Sequence, residues 1–474
     1  MKHLIFSILF ASFQLVSAQV FNTETIKNSG NNDKRINLVI LSEGYQKSEL
    51  EKFKTDAVNF VNAMFSESPF SEYANYFNVH IIKVSSNDSG ADHPGTSIDP
   101  LESSINPAVP KKTADTYFNA TYDSFGFHRL LYYEIDGFST NNTQLKISNV
   151  LASNFPTYDQ ALIIVNTSEY GGSGGEFPMA YSGLWGAEVT IHEIGHSLFN
   201  LKDEYYPGDA LAAEAINMTQ ETNSASVKWK NWMTINGVGI YPYASSGIAA
   251  SWNRPHQNCK MRYIGVPFCS VCKEGIVEKI HSLLSPIDSY TPVSNSITSP
   301  TFPIDFHLNL IKPIPNSLES AWTLNALSFA SNVDDVSVLE TDLIVGTNTL
   351  SVTVNDVTSI LKVDNHNSFH VYTITWNIEK SALGIDDITS EITNYNISMY
   401  PNPTNTVVNF KLETNTDARL KVDILSLDGK KIKTVSITNY QTTQVDISNF
   451  SQGIYLTNFY SGNVLIASKK LVKN

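Results

Sequence analysis

A multidomain chain is predicted, with an α/β (α+β) catalytic region first and two small β-sandwich modules after it. Apolar strand-like runs at 35–45, 77–84 and 160–166 alternate with helical spacing in the first 285 residues. A Ser/Thr/Pro-rich stretch follows at 286–303, and beyond it short alternating segments replace the long runs. The 474 residues are also too many for one ordinary domain.

In chain order, 1–18 has a basic Lys2, an apolar run and the small-x-small ending Val16-Ser17-Ala18, the pattern of a secretory signal peptide. No later stretch is apolar for long enough to span a membrane. The net charge of −14 argues against nucleic acid or an anionic membrane as partner, because both require a basic surface. After an N-terminal segment, 19–34, the catalytic domain is expected over 35–285. Its first strand ends at Gly44, and Phe53, Ala57, Phe60, Val61 and Met64 give the next stretch one apolar helical face. The Gly-rich 170–176 suits a cleft rim just upstream of a helix, and that helix is expected to pack beneath the sheet.

That helix carries His192-Glu193-Ile194-Gly195-His196. Two histidines four apart lie on one helical face about one turn from each other, where they can share a metal ion; this is the H-E-x-x-H signature of zinc peptidases. A catalytic zinc needs a third protein ligand and an open position for water. On a straight helix Asp203 would lie roughly 10 Å beyond His196, so the chain must turn back. Asn200 is the residue near the helix end best suited to a left-handed conformation. Asp203 is the first candidate for third ligand, Glu204 the second, and Glu214 or His256 more distant choices. An acidic solvated loop, or carboxylates that orient the histidines, is the plainer role for Asp203 and Glu204.

All three cysteines, Cys259, Cys269 and Cys272, fall in one short stretch. His256-x2-Cys259 and Cys269-x2-Cys272 have the pair spacing of a structural zinc site, whereas an exported chain more often oxidises two thiols and leaves one free. A disulfide is the favoured expectation, with its pairing open. Met261 could form an apolar floor under the metal and Tyr263 could face a substrate oxyanion, although Met and Tyr are more often ordinary packing.

With these motifs in view, 35–281 resembles the IgA-peptidase family of bacterial zinc metallopeptidases. The resemblance rests on His192 to Tyr205, on Cys259-x-Met261-Arg262 and on Phe268-Cys269-x-Val271-Cys272. Asn37-Leu-Val-Ile-Leu-Ser-Glu-Gly-Tyr45, the stretch 85–94 and Asp115-Thr-Tyr-Phe118 add to it. It implies a metzincin-like fold and one catalytic Zn2+ held by His192 and His196. It further implies Glu193 as general base, Met261 in a Met-turn and Tyr263 at the spacing of a switching tyrosine. Metzincins usually have Gly where Phe199 stands and a ligand where Lys202 stands. Lysine does not suit zinc here, so the acidic residue one place later becomes the candidate.

Past the 286–303 linker, 304–382 reads as an accessory β-sandwich. Support for the enzyme is its plainer role, and glycan or protein binding the other. A second linker, 383–396, leads to 397–474, where Ile397-Ser-Met-Tyr-Pro-Asn-Pro-Thr404, Leu427-Asp-Gly-Lys430 and 445–455 resemble the C-terminal sorting domain of the type nine secretion system of Bacteroidota. The resemblance implies passage through secretion machinery to the medium or the outer surface. Together these features predict a secreted zinc endopeptidase acting on protein or peptide substrates. A surface adhesin or glycan-binding protein with a zinc-fold scaffold, and a zinc amidase on a non-protein substrate, are the alternatives.

Overall fold

The structure is a computed structural model that describes residues 19–98, 110–133, 143–206, 208–364, 366, 370–381, 395–414, 419–439, 441–462 and 464–474. The expected signal peptide at 1–18 and nearly all of the 383–396 linker lie outside the described residues. No helix among the described residues is long and apolar enough to cross a membrane.

The catalytic region is built on one mixed sheet. Its strands are β1 (Asn22–Lys27), β2 (Ile36–Glu43), β3 (Phe77–Lys83), β4 (Gln160–Val165), β5 (Gly172–Ser173) and β6 (Met179–Tyr181), in the order β1-β3-β2-β4-β6-β5. The four inner strands run parallel, and β1 and β5 close the edges antiparallel. Every residue of β2, β3 and β4 is buried, as expected where both faces of a parallel sheet are covered. Alternation divides their side chains between two cores. Leu38, Ile40, Val79, Ile81, Leu162 and Ile164 face one; Val39, Leu41, Ile82, Ala161 and Ile163 face the other.

The first core holds α1 (Leu50–Met64), which buries the five apolar residues of its predicted face. The second holds α2 (Thr143–Asn154). Helix α3 (Gly186–Ser197) carries the histidines and packs on the first core through Ile191 and Ile194, beneath the sheet as expected. Between it and α4 (Ser270–Leu283) lie the short pair β7 (Tyr241–Pro242) and β8 (Asn253–Arg254). At the end of β2, Gly44 has φ +66°, and a Cβ there would stand 1.9 Å from the Gly90 carbonyl oxygen, so this turn requires glycine.

Two boundaries differ from the sequence reading. The segment 19–34 is not separate, because it supplies the edge strand β1. The stretch 286–303 is no free linker: it contains β9 (Ile287–Thr291), paired with β11 (Ile304–Leu310), and β10 (Ser296–Ile297), paired with β16 (Tyr372–Lys380). Its polar composition reflects strands that bury little, which hides them from an apolar pattern search. The remaining strands here are β12 (Leu318–Leu324), β13 (Leu327–Ser331), β14 (Asp335–Val338) and β15 (Gly346–Asp356). Sheets β14-β11-β9 and β10-β16-β15-β12-β13 share a core in which Trp322 and Trp376 stack at 5.9 Å.

This sandwich is joined to the catalytic region through a buried polar knot. Asp356 accepts hydrogen bonds from the His281 Nε2 of α4 (2.9 Å), the Tyr73 hydroxyl (2.6 Å) and Ser317 (2.7 Å). Burial alone would raise the Asp356 pKa, but these donors hold it below the ordinary carboxylate range.

The C-terminal module is a separate compact unit. Its strands are β17 (Asn396–Tyr400), β18 (Val407–Glu413), β19 (Arg419–Ser426), β20 (Lys431–Thr438), β21 (Thr442–Asp446), β22 (Gly453–Ser461) and β23 (Val464–Lys473). They form the sheets β17-β18-β21 and β20-β19-β22-β23 around a core that includes Val408, Phe410, Val422 and Phe459.

Replacing Asp356 strands two buried donors, Tyr73 and His281, and the half-buried Ser317, so Asp356→Ala is expected to cost about 3–5 kcal/mol in chemical denaturation. Because the folded pKa is depressed, this stabilisation is complete above the ordinary carboxylate pKa. It is lost as pH falls through the folded value, and an acid titration of the unfolding midpoint should show a larger loss in the wild type than in the variant, which keeps the other depressed carboxylates.

Candidate metal centre

Three side chains from one helix and the turn after it converge. His192 Nε2 and His196 Nε2 are 3.2 Å apart, and Asp203 Oδ1 lies 3.2 Å from the first and 3.1 Å from the second. Two donors each about 2.0–2.1 Å from a tetrahedral zinc stand about 3.3–3.4 Å apart, so the triangle has the size that such an ion requires.

The local fold explains the triangle. Helix α3 stops at Ser197, and Asn200 takes φ +56°. The Asn200 N–H then donates back to the His196 carbonyl at 3.1 Å, the bond of an αL helix ending, and the Leu201 N–H reaches the Gly195 carbonyl at 2.9 Å. The reversal occurs one residue later than a glycine at position 199 would put it. Phe199 is instead buried against Phe70, ring centroids 5.5 Å apart, and the carboxylate that returns to the histidines is also one place later.

Backbone carbonyls orient both imidazoles. His192 Nδ1 donates to the Lys260 carbonyl (2.9 Å) and His196 Nδ1 to the Leu201 carbonyl (2.7 Å). A carbonyl only accepts, so each Nδ1 carries hydrogen and each Nε2 is left to face the centre. Burial disfavours a charge on His196, yet the Asp203 carboxylate outweighs it and raises the imidazole pKa to about 9. His192 shifts up for the same reason, while Asp203 is held well below the carboxylate range. Two histidine nitrogens and a carboxylate oxygen form a donor set that suits zinc.

Glu193 stands beside the triangle. Burial raises its pKa, and the two histidines pull partly against that rise. The expected rim is the edge strand β5 with the residue after it: a Cβ on Gly174 would come 3.1 Å from Glu193 Oε2. Below α3, Met261 is fully buried with its sulfur 2.9 Å from where a Gly195 Cβ would be, so Gly195 lets it lie against the helix. Lys260, 1 % exposed, pairs with Glu188 of α3 (2.5 Å) and with Glu67 (3.0 Å). Sequence reasoning missed this clamp, because a lysine between Cys259 and Met261 carries no pattern that marks it as buried.

The other candidates lie elsewhere. Glu214 pairs with Lys228, and His256 is at the surface with its ring on the Asn236 and Asn258 carbonyls. Glu204 turns away from the histidines into the cysteine pocket, where Cys272 Sγ is 3.2 Å from its Oε1. Tyr263 is 48 % exposed and lines a surface pocket with Tyr205, Tyr243, Arg254 and Arg262. Tyr205, which sequence reasoning did not single out, stands beside the centre: its ring is 6.5 Å from that of His192. The expected disulfide is not formed. Cys259, Cys269 and Cys272 are all free and buried, and Cys259 and Cys272 share their pocket with the Glu204 carboxylate at a sulfur separation of 3.6 Å.

Residues 25–245 match the IgA Peptidase M64 family. The match spans the histidines, Glu193 and Asp203, and it supports a peptidase, hence a hydrolase. The cysteines, Met261 and Tyr263 fall after the M64 match. Residues 398–474 match a secretion system C-terminal sorting domain, which marks a protein that is secreted or held at the cell surface. No curated protein matches the chain.

Solved structures similar to parts of the chain include dimeric latent PorU from Porphyromonas gingivalis, at 14 % identity over 40 % of this chain and 20 % of that one, TM-score 0.15. The β-glucuronidase of Parabacteroides merdae with glycerol in its active site is similar at 9 % identity over 48 % and 28 %, TM-score 0.15. The β-glucuronidase of Ruminococcus gnavus in complex with D-glucuronic acid is similar at 10 % identity over 33 % and 31 %, TM-score 0.14. The chain thus spans less than a third of the length of each, and overlaps this weak carry no argument about its fold.

The turn can be tested apart from catalysis. Asn200→Gly should leave stability and metal affinity near wild type, whereas Asn200→Val should cost about 1–2 kcal/mol or more and weaken metal binding. Asp203→Ala should lower zinc affinity by more than about 100-fold, beyond the loss typical of an outer-shell partner. Competition with a chromogenic chelator measures all three.

Proposed function

We propose that the chain is a secreted, zinc-dependent endopeptidase with a metzincin-like catalytic domain. The observation that carries the reading is the convergence of the His192, His196 and Asp203 donors within 3.2 Å of one another, next to a half-buried Glu193, inside the segment that matches M64. Met261 beneath the histidine helix supports the metzincin comparison. The sorting-domain match supports export through secretion machinery, with a protein or peptide substrate met outside the cell.

In this reading His192, His196 and Asp203 hold one Zn2+. When bound, zinc supplies Lewis acidity to the scissile carbonyl and to a water. The residues of the chain do the rest. An extended peptide lies along 173–175, past the Gly172 N–H that already donates to the Arg129 carbonyl at 3.2 Å, so that main-chain hydrogen bonds align the scissile bond above Glu193. Glu193 takes a proton from the attacking water as oxygen bonds to the carbonyl carbon, and delivers it to the amine as the C–N bond breaks. A carboxylate whose pKa is raised by burial holds that proton better at neutral pH than an exposed one would. Tyr263, or Tyr205 beside His192, donates its hydroxyl to the oxyanion.

Casein or gelatin cleavage by the zinc-loaded protein tests the reading. Glu193→Gln should lower kcat by about 10²–10⁴-fold with zinc content unchanged, and undiminished cleavage would remove Glu193 from the mechanism. Of Tyr263→Phe and Tyr205→Phe, the one that removes the oxyanion donor should lose about 10²–10³-fold in kcat with little change in KM.

A further inference from the structure

We infer that Glu204, Cys259, Cys269 and Cys272 form a second, closed metal site that takes a structural zinc ion. The inference is independent of the peptidase reading, because it rests on different donors and assigns them no catalytic part.

All four side chains are buried, and a donor atom from each lies within 4.8 Å of those of the others. The Cys259 and Cys272 sulfurs are 3.6 Å apart and the Cys272 sulfur is 3.2 Å from Glu204 Oε1. Around a tetrahedral zinc, with Zn–S near 2.3 Å and Zn–O near 2.0 Å, those separations would be about 3.8 Å and 3.5 Å. Glu204 is fully buried, and its second carboxylate oxygen has no hydrogen-bond partner. An orphaned oxygen at zero exposure is costly to bury, and its neighbours in the cluster are thiols, which are weak donors. A cation answers both features.

The donor chemistry selects the ion. Three thiolates and a carboxylate are soft enough for zinc, poor for calcium or magnesium, and fill four positions without leaving one for substrate. On binding, the thiols release their protons to solvent. Cys269 is the N-cap of α4 and Cys272 lies in its first turn, so the positive end of a 14-residue helix stabilises both thiolates.

The place of the site in the fold gives it a purpose. Glu204 follows Asp203, and its N–H donates to the Met261 carbonyl at 2.7 Å. Cys259 precedes Lys260, whose carbonyl takes the His192 Nδ1–H. An ion joining Glu204 to Cys259 therefore ties the turn that presents Asp203 to the loop that orients His192.

Metal analysis of the full-length protein, purified without chelator, should give two zinc per chain. His192→Ala/His196→Ala should keep one of them, and cobalt substitution of that variant should give thiolate-to-cobalt charge-transfer absorption. Cys272→Ser should lose one zinc and bind the remaining ion about 10–100-fold more weakly, as for a lost outer-shell support. A single zinc in the wild type, absent from the histidine variant, would overturn the proposal. So would an intact mass short by two hydrogens, the sign of a disulfide. Should Cys272→Ser not fold, the cobalt spectrum of the wild type still decides, since the histidine and aspartate donors give no thiolate band.

Discussion

Carried straight on, the helix that bears His192 and His196 would leave Asp203 roughly 10 Å past them, and the left-handed backbone of Asn200, at φ +56°, is what brings it back. One residue thereby settles three things. It ends α3 with the Leu201-to-Gly195 hydrogen bond, it turns the Leu201 carbonyl toward His196 Nδ1, and it returns a carboxylate to the face where both Nε2 atoms point. Asparagine tolerates this conformation better than most residues with a Cβ, at a cost that the helix ending and the buried Leu201 offset.

The turn is effective only because its surroundings are rigid. Helix α3 rests on a parallel sheet whose inner strands are buried on both faces, and it is held from below by the 259–263 loop. Lys260 joins that loop to α3 through Glu188, Met261 fills the space that Gly195 leaves, and the Glu204 N–H ties it to the returning chain. The histidines are therefore oriented by backbone groups on two separate stretches, a preorganisation that side-chain partners alone would secure less well. On the far side of the same region, α4 joins the sandwich through His281 and Asp356, so the accessory module is packed into the unit that carries the site.

Much of this was legible from residue types. Uniform apolar runs marked β2, β3 and β4, and helical spacing picked out the five buried residues of α1, because burial on two faces or one stripe leaves a periodic trace. The histidine spacing and the need for a reversal near Asn200 follow from helix geometry, whereas Asp203 is only the first of several candidates there, and its position one place after the usual ligand is what the family resemblance implies. Strand β1 and the pair β9 and β10 were hidden because edge strands alternate weakly and bury little. The cysteines were misread for another reason. The compartment argued for a disulfide, but Glu204 completes the cluster from more than fifty positions away, and sequence spacing does not register such a contact. Lys260 and Tyr205 acquire their places only from tertiary packing.

The central claim is that the turn at Asn200 gives Asp203 to the same ion as His192 and His196. Anomalous scattering at the zinc absorption edge from a crystal of the loaded protein tests it most directly. A peak is expected about 2.0–2.1 Å from His192 Nε2, His196 Nε2 and Asp203 Oδ1 together. A peak held by the two histidines with Asp203 turned away, or no peak beside them, would contradict it.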